Sequence, residues 1–207
     1  DDGWGTIEDD AGRLETVLMK DSARKIITFN KSPDISFDRT VNPYRGCEHG
    51  CIYCFARPSH AWGGLSAGLD FESKLFYKDN AVELLKRELA KPGYVPRVIA
   101  LGMNTDAYQP VEREQRLTRS LLEVLAAHRH PVSLLTKSAL ILRDLDLIAP
   151  LAEAGLARVG ISITTLDRSL ARKMEPRAAT PTRRLETIRA LSEAGIEVTV
   201  MTAPIIP

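Results

Sequence analysis

A repeated junction between a helix and a strand is the feature that most constrains the fold. The segments 151–156 and 191–196 read LAEAGL and LSEAGI, and they start 40 residues apart. Each combines the end of a helical pattern, a glycine and an incoming apolar strand. Glycine commonly occupies the left-handed position that follows the last turn of a helix. Repetition of a βα unit at this interval is typical of a parallel barrel or a doubly wound sheet.

The rest of the chain continues this alternation. Near-continuous apolar runs indicate strands that are covered on both faces of the sheet. We expect five such strands, at 39–41, 95–101, 132–135, 157–163 and 197–202. We expect four crossover helices, at about 79–92, 112–129, 139–154 and 180–195, the last with Thr180 as N-cap and Pro181 in its first turn.

The N-terminal region carries weaker signals. The polar residues 1–24 predict an irregular arm, and residues 25–207 are expected to form one core domain. Short strand-like pieces occur at 26–29 and 35–37, and the segment 57–76 is loop-like.

Composition excludes several classes of protein. Of 207 residues, 44% are hydrophobic and 27% are charged, with 28 basic and 27 acidic side chains. This balance indicates an ordinary globular core and argues against a disordered chain or a disulfide-rich mini-protein. No apolar run approaches the roughly 20 residues that span a bilayer, and the sequence shows no leader pattern. We therefore expect a cytoplasmic protein without a membrane segment.

The cysteines are few and crowded together. The chain has three, Cys47, Cys51 and Cys54, spaced C-x3-C-x2-C. An odd number of thiols within eight residues is a poor basis for disulfides, so the group indicates a metal site or redox chemistry.

The spacing alone leaves several ligands open. Zinc takes four ligands, usually as two separated pairs, and here His49 or His60 would have to complete the set. An iron–sulfur cluster is held by thiolates from short loops of this kind, and three thiolates leave one of four irons open for chemistry. Cysteines can also be small buried apolar residues without any ligand.

The cysteine motif, with Tyr53 before its last cysteine, resembles the cluster loop of the radical S-adenosylmethionine (SAM) superfamily. The flanking segments NPYRGC (42–47) and CFAR (54–57) are similar to the branch that contains spore photoproduct lyase and its "DNA repair photolyase"-like relatives. Three later segments also resemble this branch: GMNTDAYQP (102–110), LTKS (135–138) and MEPR (174–177). The resemblance runs from about residue 25 to the end of the chain.

The resemblance implies a fold and a chemistry. The fold is a partial (β/α)6 TIM-like barrel, which in this chain would be truncated after about strand five. Cys47, Cys51 and Cys54 would hold a 4Fe-4S cluster whose fourth iron binds SAM. Reductive cleavage of SAM would give methionine and a 5′-deoxyadenosyl radical that abstracts hydrogen from a substrate. A reductant such as flavodoxin or ferredoxin would supply the electron.

Polar residues that follow the apolar strands are expected to share one edge of the barrel. In such folds the active site lies at this edge. Lys137 is the best cation for the carboxylate of SAM, since a compact ammonium suits a point contact. It can also be an ordinary exposed lysine. Asn104, Thr105 and Asp106 occupy the position where relatives bind the SAM amino group, with Asp106 as an acceptor, although all three suit a simple turn.

The remaining expected contacts concern the nucleoside part of SAM. Ser162 would reach the ribose hydroxyls or, alternatively, bond to backbone. By its place in the motif, Tyr53 would lie over the cluster loop with its backbone near adenine. Ala203 would offer its backbone to adenine by the same analogy.

The resemblance does not carry over the substrate. Spore photoproduct lyase uses a fourth cysteine after its second strand as a hydrogen donor, whereas the matching segment here, 103–106, contains none. Tyr108 is a speculative replacement. A nucleic acid base is the substrate class that the family favours.

Segment 167–189, with seven basic and three acidic residues, would attract a phosphate backbone or form a solvated helix face. Within it, Arg177 either reaches substrate or points outward. The alternatives to an enzyme are a non-catalytic zinc- or iron–sulfur-binding nucleic-acid module and a simple electron carrier.

Overall fold

The computed structural model describes residues 15–205. Nine strands lie within this range: β1 (Val17–Lys20), β2 (Ile27–Phe29), β3 (Arg39–Val41), β4 (Tyr44–Arg45), β5 (Lys74–Tyr77), β6 (Ile99–Leu101), β7 (Val132–Thr136), β8 (Ala157–Ser162) and β9 (Val198–Met201). Six of them form the central sheet in the order β2-β3-β6-β7-β8-β9. The other three form a smaller sheet in the order β1-β5-β4.

The central sheet confirms the predicted alternation. Strands β3, β6, β7, β8 and β9 are neighbours in chain order and all run parallel, and β2 pairs antiparallel with β3 at one edge. Parallel neighbours require crossover connections, which the helices between them provide. The fold is therefore the predicted partial α/β barrel.

Seven α-helices connect or flank the strands: α1 (Asp70–Ser73), α2 (Ala81–Leu89), α3 (Glu112–Gln115), α4 (Leu117–Ala127), α5 (Leu145–Glu153), α6 (Arg168–Met174) and α7 (Pro181–Glu193). Two 3-10 helices, Arg57–Gly63 and Ala139–Asp144, complete the described part of the chain. The predicted start of α7 is confirmed, because the Thr180 side chain accepts a hydrogen bond from the backbone N–H of Arg183. Gly155 and Gly195 have φ of 70° and 75°, as the two repeated junctions require.

Two of the predicted helices are interrupted. Arg116, with φ of 52°, separates α3 from α4 within the segment expected to be one helix. The helix predicted at 139–154 begins as a 3-10 helix and becomes α-helical only at Leu145. The apolar spacing of the sequence does not reveal either interruption.

The main core lies between the central sheet and its helices. Leu85 of α2, Leu125 of α4 and Ile148 of α5 are completely buried against the sheet. Leu101 and Leu134, which are paired in β6 and β7, lie in the same core. Burial of each such side chain contributes roughly 1.5–3 kcal/mol, so these residues hold the strand ends in fixed relative positions.

The smaller sheet corrects the sequence prediction. Val17–Lys20 form a strand inside the segment 1–24 that was expected to be irregular, and the rest of that arm up to residue 14 lies outside the described residues. The expected loop at 57–76 contains a 3-10 helix, α1 and the start of β5. Strands of two to four residues are too short to give a periodic signal.

Two further differences concern short elements. Residues 35–37 form no strand, whereas α6 occupies a connection with no predicted helix. Helix α6 is only seven residues long and is started by Asp167, whose side chain accepts from the N–H of Leu170. Among the described residues, no helix is long and apolar enough to cross a membrane.

Candidate active site

The three cysteines lie on one irregular segment, residues 46–54, which we call the cysteine loop. It leaves β4 and leads into the 3-10 helix at Arg57. Gly46 begins it with φ of 84°, and a Cβ there would come within 2.6 Å of Leu75 Cδ2. The N–H of Cys47 donates to the Phe71 carbonyl (2.9 Å), and the N–H of Cys54 donates to the Cys51 carbonyl (3.2 Å). The loop therefore has a defined path with little regular structure.

The thiols themselves are free and close to one another. Cys47 is buried, and Cys51 and Cys54 are half-buried. Burial raises the pKa of Cys51 to about 12, and the neighbouring sulfurs of Cys47 and Cys54 act in the same direction, whereas the ammonium of Lys137 opposes it. A group that keeps these sulfurs as thiolates must therefore supply positive charge, as metal ions do.

The donor chemistry of the loop fits an iron–sulfur cluster. Its three cysteines are free and lie on one short loop, and cysteine sulfur is the ligand that such clusters bind. In a four-iron cluster each thiolate binds its own iron, so three thiolates leave one iron open.

The two histidines considered as zinc ligands have other partners. His49 is 2% exposed, and its Nδ1 lies 3.3 Å from Oδ2 of Asp106. Burial disfavours its charge, but Asp106 and the Cys47 sulfur outweigh this effect and raise the pKa of His49 to about 10. The His60 Nε2 lies 2.9 Å from the Lys74 carbonyl, and its ring packs against Phe71.

Asp106 links the cysteine loop to the ends of β6 and β7. Besides His49, its carboxylate accepts from the Thr136 hydroxyl (2.7 Å) and from the backbone N–H groups of Tyr108 (2.9 Å) and Lys137 (2.8 Å). Burial alone would raise the pKa of Asp106, but His49 and these hydrogen bonds hold it well below its usual range. All four acceptor positions of the carboxylate are occupied. In the structure the carboxylate positions Thr136 and the backbone of Lys137. The expectation that Asp106 accepts from the SAM amino group stays a prediction.

Lys137 follows β7 and lies beside the thiols. Its ammonium is 5.7 Å from the centre of the Tyr53 ring, and its charge acts on both Cys51 and Cys54. Its backbone is fixed on both sides, because its N–H donates to Asp106 and its carbonyl accepts from the N–H of Ala179 (3.3 Å). The structure thus places a fixed cation at the strand-end edge where the sequence predicts one.

The other predicted SAM contacts lie along the same edge. Thr105 is buried and donates its hydroxyl to the Tyr44 carbonyl (3.0 Å), and the N–H of Asn104 donates to Asn42 Oδ1 (3.2 Å). Ser162 ends β8 and is 4% exposed, and Ala203 lies exposed just beyond β9. Their roles toward SAM stay predictions.

Sequence reasoning missed the role of the segment 174–177, which packs on the cysteine loop. The hydroxyl of Tyr53 donates to the Glu175 carboxylate, which also accepts from Arg184 and from the Thr164 hydroxyl (3.0 Å). Burial would raise the pKa of Glu175, but its bonds to Arg184 and Tyr53 keep it below the ordinary value. Burial raises the pKa of Tyr53, and the hydrogen bond to Glu175 raises it further.

Two further expectations are corrected. Arg177 binds the cysteine loop through the Glu48 carbonyl and is not free to reach a substrate. Tyr108 is 1% exposed in the main core, where burial and the Asp144 carboxylate raise its pKa well above the ordinary value. A hydroxyl in that position is not exposed to donate hydrogen to a substrate radical.

The comparison with protein families decides the identity of this arrangement. The sequence profile of the radical SAM superfamily matches residues 41–207, from the end of β3 onward. The chain belongs to the radical SAM superfamily. Members of this superfamily are enzymes that use SAM and an iron–sulfur cluster, and the profile match agrees with the fold and the cysteine loop described above.

Curated relatives of the chain are described as uncharacterised proteins. One from Mycobacterium tuberculosis is 41% identical over 191 residues, which cover 92% of this chain and 55% of that protein. One from Methanocaldococcus jannaschii is 30% identical over 190 residues, covering 92% of this chain and 68% of that protein. The chain thus spans about half the length of the mycobacterial relative.

Solved structures with a similar fold include spore photoproduct lyase complexed with a dinucleoside spore photoproduct. The TM-score is 0.64 at 18% identity, covering 91% of this chain and 52% of the lyase. A variant of that enzyme with bound AdoMet and the same dinucleoside gives a TM-score of 0.63 at 17% identity, covering 90% of this chain and 51% of that one. At these identities, the likeness shows a shared fold.

Proposed function

We propose that this chain is the core of a radical SAM enzyme in which Cys47, Cys51 and Cys54 hold a 4Fe-4S cluster. The observation that carries the proposal is three free, neighbouring thiols beside a fixed ammonium at the strand-end edge of a partial barrel. A cluster held by these cysteines would supply reductive cleavage of SAM to methionine and a 5′-deoxyadenosyl radical that abstracts hydrogen from the substrate, with the electron coming from a reductant such as flavodoxin or ferredoxin.

The protein's own residues orient and enclose this chemistry. Lys137 binds the carboxylate of SAM, because its ammonium lies at the strand-end edge and its charge acts on both Cys51 and Cys54. Asp106 holds Thr136 and the Lys137 backbone in place and ties both to His49 of the cysteine loop. Tyr53, whose hydroxyl donates to Glu175, holds its ring 5.7 Å from the ammonium of Lys137.

We propose a nucleic acid base as the substrate class. The structural neighbour binds a dinucleoside, and the segment 167–189 presents five exposed basic side chains: Arg168, Arg172, Lys173, Arg183 and Arg189. Two other arginines of that segment are bound to carboxylates: Arg184, which is buried, and Arg177, which is half-buried. The remaining surface still carries a positive excess that suits a phosphate backbone.

Within these 207 residues, no further cysteine is present to act as a hydrogen donor. All three cysteines of the chain lie in the cysteine loop, so none remains for that role. We therefore carry over the cofactor chemistry of the family and leave the fate of the substrate radical open to experiment.

Anaerobic reconstitution tests the proposal. The protein carrying this chain is loaded with iron and sulfide, reduced with dithionite and incubated with SAM, and 5′-deoxyadenosine is measured by chromatography. We expect a brown protein that forms 5′-deoxyadenosine, and a colourless, inactive Cys51→Ala variant. A brown protein that binds DNA or RNA but forms no 5′-deoxyadenosine would favour the non-catalytic iron–sulfur module. A colourless protein that binds zinc would favour the zinc module.

A further inference from the structure

The segment 174–177 contacts the cysteine loop at almost every residue. Its bonds are those of the Met174 carbonyl with the Ile52 N–H (3.0 Å), the Glu175 carboxylate with the Tyr53 hydroxyl, the Arg177 N–H with the His49 carbonyl (3.2 Å), and the Arg177 guanidinium with the Glu48 carbonyl. These partners are more than 120 residues apart in the chain. The segment therefore serves as a fixed support for the loop.

A second guanidinium binds the loop beside the first. Arg57 donates to the carbonyls of Gly50 (3.1 Å) and Cys51 (3.0 Å). Glu72 joins the two cations, since one of its carboxylate oxygens accepts from Arg57 and the other from Arg177. The Glu72 carboxylate thus fixes both guanidinium groups. Together the two arginine side chains bind the carbonyls of Glu48, Gly50 and Cys51.

Gly50 shows how closely these groups approach the loop. It has φ of 68°, and a Cβ at this position would overlap the Arg177 guanidinium and come within 2.6 Å of Glu72 Oε2. The guanidinium lies directly on the backbone between Cys47 and Cys51. Charged donors make the stronger hydrogen bonds to carbonyls, and the planar fork of arginine holds them in one geometry.

We propose that Arg57, Glu72 and Arg177 form an arginine clamp that orders the cysteine loop before the cluster binds. The inference rests on the proposed cluster site and adds its positioning residues. Because carbonyls 48 to 51 are bound from one side, the loop backbone is held while Cys47, Cys51 and Cys54 remain free thiols. Without the clamp, binding of the cluster would itself have to order the loop. This cost would lower the affinity of the loop for the cluster.

The test compares Arg177→Ala, Arg177→Lys and Glu72→Gln with Arg172→Ala, a matched arginine exposed on α6. Hydrogen exchange of the metal-free proteins reports order in the cysteine loop. Iron content after reconstitution and loss of iron to a chelator report cluster retention, and the electron paramagnetic resonance spectrum of the reduced cluster reports its environment. Circular dichroism checks that each variant is folded.

We expect Arg177→Ala to exchange the amides of residues 47–54 faster than wild type and to lose iron roughly tenfold faster, the scale typical of residues that support metal ligands. Arg177→Lys should recover part of the loss, because lysine keeps the charge without the fork. Glu72→Gln, which keeps the size of the side chain, should weaken both ends of the clamp. Arg172→Ala should match wild type.

Different outcomes overturn different statements. Wild-type exchange, iron retention and spectra in folded Glu72→Gln and Arg177→Lys would overturn the clamp, even if Arg177→Ala failed to fold. Equal loss in Arg172→Ala would also overturn it, since the effect would then not depend on contact with the loop. A wild-type protein that takes up no cluster would overturn the proposed function and the clamp with it.

Discussion

Two networks of ion pairs between arginine and carboxylate side chains lie at different places in this molecule. The first, which we call the scaffold network, consists of Glu112, Arg119, Arg143 and Asp144. Glu112 and Asp144 are completely buried and share Arg143, at 2.7 Å and 2.8 Å, and Asp144 also binds Arg119 at 3.0 Å. The second is the arginine clamp of Arg57, Glu72 and Arg177.

The two networks differ in what they join. Glu112 accepts from the Tyr44 hydroxyl of the smaller sheet and from the N–H of Thr118 at the start of α4 (3.0 Å), so the scaffold network holds regular elements together. The clamp donates to carbonyls of an irregular loop that carries the thiols. Loss of the scaffold network should therefore lower the free energy of unfolding, whereas loss of the clamp should weaken retention of the cluster.

The largest expected effect falls on the cysteines, whose loop the clamp holds. Cys51→Ala removes one of three thiolates and leaves the charged networks untouched. We expect complete loss of 5′-deoxyadenosine formation and of the cluster spectrum, with the unfolding midpoint of the metal-free protein close to wild type. A variant that kept a full cluster would show that Cys51 is not a ligand.

Breaking the scaffold network should give the next largest effect. Glu112→Ala removes one of the two carboxylates that bind Arg143 and leaves the Tyr44 hydroxyl and the N–H of Thr118 without their acceptor. Removal of one partner from a buried pair typically costs about 3 kcal/mol or more, so the free energy of unfolding in urea should fall by that amount. The folded fraction should still retain its cluster. Faster loss of iron at wild-type stability would erase the distinction between the two networks.

Lys137 belongs to neither network and should affect SAM alone. Lys137→Ala removes the cation beside Cys51 and Cys54, and loss of a hydrogen bond to a charged group should weaken SAM binding by about tenfold or more. Equilibrium dialysis with labelled SAM on the loaded protein measures this change. Iron content should stay at the wild-type level, and unchanged SAM affinity would assign Lys137 to the surface.

The smallest effect is expected for an exposed pair with the same chemistry. Arg183 and Glu186 are 2.8 Å apart on α7, and each side chain is more than half exposed. Glu186→Ala should change the free energy of unfolding by less than about 0.5 kcal/mol and leave iron retention unchanged. A larger change would mean that burial does not explain why the two networks should have larger effects than this exposed pair.

The sequence predicts the central sheet and its helices because their signals are local. Apolar runs mark β6, β7 and β8, and the spacing of Leu121 and Leu125 marks α4. The cysteine spacing and the position of Lys137 after a strand likewise lead to the candidate site. The smaller sheet gives no such signal, since its strands pair across segments 24 or more residues apart in short, weakly patterned pieces.

The sequence alone could not show which group each charged side chain binds. Asp106 is readily picked out as a polar residue at a strand end, but its use by His49 and Thr136 depends on the folded position of the loop. Arg177 stands in a basic segment that suggests a substrate contact, and only the structure shows that it binds the Glu48 carbonyl. A charge can be read from sequence, whereas its partner is set by the tertiary structure.

The spectrum of the reduced cluster with and without SAM tests the central claim most directly. The reconstituted protein is reduced with dithionite, frozen, and measured by electron paramagnetic resonance before and after SAM is added, with Cys51→Ala as the control. Our account predicts a 4Fe-4S signal that changes on addition of SAM and is absent from the control. A signal that SAM leaves unchanged, or the absence of any cluster signal from wild type, would contradict it.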